Sequence, residues 1–194
     1  MSVAIPSGRH GALKAVATHA AFIAGHGCFV LASYGWFQKR EEIYNGEDMT
    51  DNRSVSQNGV CLECGGHSVQ GLTCWQMMQY PLAWEHNDPK LYELHFWLVS
   101  CYMLQHPSNY TSQGHDALKK LFYDAYKNDW QTSYILKANR EMTRNMKITN
   151  PIPNEKRKRK LVRWPVTIRD IYAGGEACAI SNILKWRDSI YEHL

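Results

Sequence analysis

The chain has no glycine-rich phosphate loop, no serine-nucleophile motif and no paired acids at a working spacing. Phosphate cradling, serine-based acyl transfer and two-carboxylate chemistry therefore have no motif to rest on. No stretch alternates apolar and polar residues as a half-buried strand does, and no internal repeat is evident. From Ala15 to Gln38, "AVATHAAFIAGHGCFVLASYGWFQ" carries no formal charge. The six cysteines do not form a disulfide scaffold: Cys28, Cys101 and Cys178 lie alone in apolar surroundings, while Cys61, Cys64 and Cys74 cluster. That usage suits a reducing compartment, so the expected location is cytoplasmic.

What is present is enough for one domain with a small appendage. The 194 residues include 12% aromatics, which predicts a real core. Residues 1–48 differ from the rest and read as an accessory segment or as the product of a start placed too early, since Met49 opens a polar lead, "MTDNRSVSQNG". The uncharged segment is long enough for a weak membrane helix, but His19, His26 and three glycines argue against one. Residues 49–194 form the core domain.

Its periodicity is helical. Thr73 caps a helix from Cys74 to about His86, which Pro81 bends or interrupts. "NDP" then stops and restarts the chain, with Asp88 as cap and Pro89 at the first helical position. The next helix runs to about Gln105 on Leu91, Leu94, Leu98, Cys101 and Tyr102. Leu118, Leu121, Phe122, Ala125 and Tyr126 mark another, and Asp129 begins one through Tyr134, Ile135 and Met142. Residues 147–164 read as an extended linker. Thr167 caps a short helix after Pro165. The last helix, from about Glu176, points Ile180, Ile183, Leu184, Ile190 and Tyr191 inward. The fold class is mainly α: a small helical bundle with a zinc-knuckle-like loop at its start.

"VCLECGGHSVQGLTCW" carries the chemistry. Cys61 and Cys64 can converge on one ion because a two-residue gap folds into a turn. Cys74 opens a helix, where the macrodipole favours a thiolate. The cofactor expected is Zn2+, which takes four sulfur and imidazole ligands in a tetrahedron. His67, His86, His95 and His106 compete for the fourth place. His95 and His106 are eleven residues apart, hence about 16 Å along one helix, so one ion cannot take both. If the two helices fold back at Asp88, residue 102 comes level with Cys74, which favours His106 and keeps His95 as the alternative. A filled tetrahedron predicts a structural zinc in a binding or regulatory module. The rival is an enzyme, either metal-dependent or using His95, Tyr102 and Gln105 on one face for acid–base work.

The basic residues Lys156, Arg157, Lys158, Arg159, Lys160 and Arg163 open a second alternative, a nucleic-acid module with Trp164 stacking on a base. Counted with Glu155, that segment carries +5 against +4 for the whole chain, so the remainder is slightly acidic and any anion binding is local. Charge runs of this kind are more often solvated linker.

"CLECGG", "TCW", "LHFWLVSCYMLQHPSNYT", "RWPVTIRDIYAG" and "ILKWRDSIYEHL" together resemble an uncharacterised bacterial family, domain-of-unknown-function family 5946, over about residues 60–194. The resemblance implies that the three cysteines, His95, Tyr102, Gln105, His106 and Pro107 stand at the family's motif positions. It also implies that the place of Cys101 usually holds alanine, serine or threonine, which sets that thiol aside as a ligand. Residues 1–48 have no counterpart in the family, and no activity comes with it.

Overall fold

The computed structural model describes residues 59–148 and 162–194. Among the described residues the fold is helical, with no strand beyond two isolated antiparallel bridges in the cysteine loop, Val60–His67 and Val69–Leu72. The helices are α1 (Cys74–Trp84), α2 (Pro89–Tyr92), α3 (His95–Gln105), α4 (Ser112–Lys127), α5 (Thr132–Thr143), α6 (Ile168–Gly174) and α7 (Ala179–His193).

Local chemistry sets most of the boundaries. Thr73 caps α1 in a reciprocal box with Gln76, so two otherwise orphaned donors are satisfied. Pro81 does not interrupt α1: the helix continues to Trp84, and the ring is buried in its last turn. The Asp88 carboxylate accepts from the Lys90 N–H, with Pro89 at the first helical position. Thr167 and Asp170 form a second box at the start of α6.

Two boundaries and one buried face differ from expectation. The helix foreseen from Pro89 to Gln105 breaks after Tyr92, where residues 93–94 turn and α3 restarts at His95. The carbonyl of Glu93 accepts instead from the Thr132 hydroxyl, 3.3 Å away. Asp129 ends α4 rather than beginning α5. It adopts the left-handed conformation (φ 48°), and Trp130 N–H reaches back to the Ala125 carbonyl, 3.0 Å. In α7 the buried face is Ala179, Ile183, Trp186 and Ile190; Ile180, Leu184 and Tyr191 are half-buried, so the inward stripe is rotated from the one expected.

The core lies where α3, α4, α6 and α7 meet, built on Leu98, Cys101, Phe122, Ile168, Ile171, Ile183 and Trp186. Trp97 sits edge-on to Phe122 at 5.2 Å, and the Arg187 guanidinium lies over both Trp97 and Tyr126. Helix α6 packs along α1, while α3 and α7 run together through the centre. Among the described residues no helix is long and apolar enough to cross a membrane. The 15–38 segment and Lys156–Lys160 lie outside the described residues.

Candidate metal centre

Two short hydrogen bonds close the cysteine turn: Cys61 N–H to the Gly66 carbonyl at 2.8 Å, and Gly65 N–H to the Cys61 carbonyl at 3.1 Å. Gly65 has φ 72°, and a Cβ there would stand 3.3 Å from the Arg163 backbone. Glycine alone meets both demands. At Gly66 a Cβ would come within 2.9 Å of the Thr167 hydroxyl oxygen, and the Gly66 N–H donates to Cys64 Sγ at 3.3 Å. Val162 and Trp164 donate backbone N–H to the carbonyls of Glu63 and Cys64, both at 3.3 Å, so the chain leading into α6 lies along the turn.

The Thr73 box puts Cys74 at the first position of α1. The opposing ligand candidate comes from the C-cap of α3. There His106 Nδ1 donates to the Tyr102 carbonyl at 2.8 Å, and its ring stacks on that of Tyr102, centroids 4.2 Å apart. A carbonyl only accepts, so Nδ1 carries a hydrogen, and in the neutral ring Nε2 presents its lone pair. That Nε2 is buried and has no hydrogen-bond partner.

Cys61, Cys64, Cys74 and His106 are all buried, and their four ligand atoms lie within 4.8 Å of one another. Cys64 Sγ and Cys74 Sγ are 3.6 Å apart. Zn–S bonds of about 2.3 Å give a tetrahedral S–S edge of roughly 3.8 Å, whereas a disulfide needs about 2.05 Å. The group is thus close enough to hold a metal ion. Hydrogen bonding from Cys64 and then Cys74 pushes the Cys61 thiol down, against burial. Hydrogen bonding with Cys61 and Cys64 pushes Cys74 up. Burial, the largest influence on His106, pushes its imidazole down, but the sulfurs of Cys61 and Cys64 together outweigh it and raise it well above the ordinary range. The rise at His106 reflects the sulfurs around it, among which a positive charge is stabilised. A proton on His106 supplies one unit and a divalent metal supplies two.

The other sequence candidates go elsewhere. His67 and His86 are exposed. His95 Nδ1 lies 2.6 Å from Glu85 Oε1, at the opposite end of α3 from His106. Tyr102 covers His106, and Gln105 donates to the Val166 carbonyl at 2.8 Å, so His95, Tyr102 and Gln105 each engage a different neighbour. Cys101 is fully buried in the core, its thiol pushed well up by that burial, and it is not in the group of four. Arg163 is exposed, and Trp164 packs half-buried against the core, 5.9 Å from the His193 ring.

Two carboxylates in the architecture carried no sequence signal. Glu63, between the paired cysteines, accepts from Ser108 N–H (2.9 Å) and Ser108 hydroxyl (3.0 Å). Glu85, the C-cap of α1, is the buried partner of His95. Neither follows from periodicity, because each answers a residue more than nine positions away.

Fold and site together define a class: a helical protein whose N-terminal cysteine loop closes, with one histidine, into a metal-competent cluster. Within that class the chain belongs to a family of unknown function, DUF5946, whose model matches residues 59–194 and so takes in all four cluster residues. No curated protein and no solved structure matches the chain.

Proposed function

We propose that Cys61, Cys64, Cys74 and His106 hold a single Zn2+ as a structural centre, and that the protein serves as a binding or regulatory module. The observation that carries this is His106 Nε2: a buried lone pair among three sulfurs, without a hydrogen-bond partner, on a ring whose other nitrogen is committed to a backbone carbonyl. Buried polar atoms are seldom left so, and a neutral imidazole oriented this way is how histidine meets a metal. Three thiolates and one imidazole fill a tetrahedron and leave no open position for substrate. The ion would fasten the cysteine turn and the start of α1 to the end of α3. The reading calls for a reducing compartment such as the cytoplasm, where thiolates persist as ligands.

Elemental analysis of the purified protein is expected to give one zinc per chain. His106→Ala should release it and lower the melting temperature sharply. A variant that stays as stable as the parent, with its metal merely exchangeable, would move the assignment to a catalytic zinc.

A further inference from the structure

The metal reading leaves one buried carboxylate to be explained. Glu63 sits between two of the sulfur ligands and is only 6% exposed. Removing a carboxylate from water is costly unless its oxygens are satisfied, and both are, by a single residue: Ser108 N–H to Oε1 and Ser108 hydroxyl to Oε2. Ser108 lies two positions after His106, in the 3-10 turn Pro107–Asn109. The clasp therefore crosses from the paired cysteines to the histidine, the same gap that the ion spans.

We infer that Glu63 is a positioning residue that docks the end of α3 on the cysteine turn before metal arrives, so that the four ligands are assembled in advance. The inference rests on the metal-site reading above. The ligands come from two distant parts of the chain, residues 61–74 and residue 106. Bringing those parts together costs loop-closure entropy. If the ion alone does so, that cost is subtracted from its affinity. Two hydrogen bonds to a charged acceptor do the same closing without the ion, and charge-assisted bonds are the strong ones. The other ties of the turn, Gly66 against Thr167 and the pairing with residues 162–164, attach it to the segment that leads into α6, which meets the end of α3 through the bond from Gln105 to the Val166 carbonyl. The contact with Ser108 joins the turn directly to the residues that follow the fourth ligand.

The test uses the full chain, zinc affinity measured by competition with a chromophoric chelator, and the absorption spectrum of the Co2+-substituted protein. Glu63→Ala is expected to weaken zinc binding roughly 10–100-fold, with stoichiometry unchanged and thiolate-to-cobalt bands intact at saturation. Ser108→Ala, which alters no charge, should weaken it by a smaller factor. Combining Ser108→Ala with Glu63→Gln should cost less than the product of the two single effects. If Ser108→Ala binds zinc as the parent does and Glu63→Gln alone weakens it, the effect is one of net charge and the clasp is refuted. Variants that melt earlier when loaded yet keep parental zinc affinity refute it as well, since Glu63 is then merely structural. Should Glu63→Ala fail to fold, Ser108→Ala and Glu63→Gln decide by the same comparison. A parent that binds no metal overturns the zinc assignment itself, whereas a parent that binds with all variants equal to it overturns only the role of Glu63.

Discussion

At one end of the antiparallel pair made by α1 and α3, Cys74 and His106 meet with Cys61 and Cys64. At the other, Glu85 and His95 meet at 2.6 Å. On each helix eleven residues, or about 16 Å, separate the two junctions. Both ends use a histidine whose Nδ1 is fixed, and the partner decides the outcome. The Nδ1 of His106 is spent on a neutral carbonyl, which leaves Nε2 to face the sulfur atoms of the three cysteines. The Nδ1 of His95 faces a buried carboxyl. That contact is a carboxyl–imidazole hydrogen bond, which shares a proton rather than a metal. Helical register sets His106, not His95, level with the cysteines, and what the first ring nitrogen holds then separates the chemistry of the two.

The comparison can be broken at either end. Stripping the metal by chelation should have the largest effect, a fall of on the order of 20 °C in melting temperature or loss of a cooperative transition, read by calorimetry. His95→Ala comes next. It leaves the Glu85 carboxyl buried without its imidazole and should cost about 3 kcal/mol, while zinc content stays at the parental level. Simultaneous metal loss in that variant would show that the two ends are not independent.

A smaller effect should appear with pH. Burial raises the Glu85 carboxyl above its ordinary value of 4.5, and the hydrogen bond and charge of His95 offset this only in part. A raised value in the folded state means that folding favours the protonated form. Its stabilisation is complete in acid and is lost as pH climbs from about 4.5 through the raised value. Melting curves of the parent and Glu85→Gln across that window should diverge in favour of the Gln variant as pH rises; parallel curves would assign the pair no such role. Smallest of all, Cys101→Ala should cost about 1 kcal/mol through lost packing, with zinc stoichiometry unaltered.

The sequence made the cluster legible because its information is local. Cys61, Cys64 and Cys74 fall within fourteen residues, and the turn at Asp88 and Pro89 let simple helical rise bring residue 102 level with Cys74. The structure sets the rings of Trp75 and Tyr102 6.0 Å apart, in agreement with that register. Caps at Thr73, Asp88 and Thr167 were readable for the same reason, since each bonds a donor two or three residues on. What stayed hidden was long-range. The break before His95 satisfies no local breaker; the freed Glu93 carbonyl is met by Thr132 from a different helix. Asp129 looked like a helix start because aspartate favours caps, yet it serves as a left-handed stop. Glu63 and Glu85 carry no signal in the sequence, and only the assembled fold buries them.

The backbone bonds from Val162 and Trp164 onto the cysteine turn have a topological consequence. Together with the packing of α6 on α1 and of α7 on α3, they give the C-terminal portion its own non-covalent seam to the remainder. Two separately produced polypeptides, divided anywhere from residue 149 to residue 161, should recognise each other and rebuild the whole. Because one side of that seam is the loop that a bound metal would rigidify, such an ion should set how readily the halves reunite.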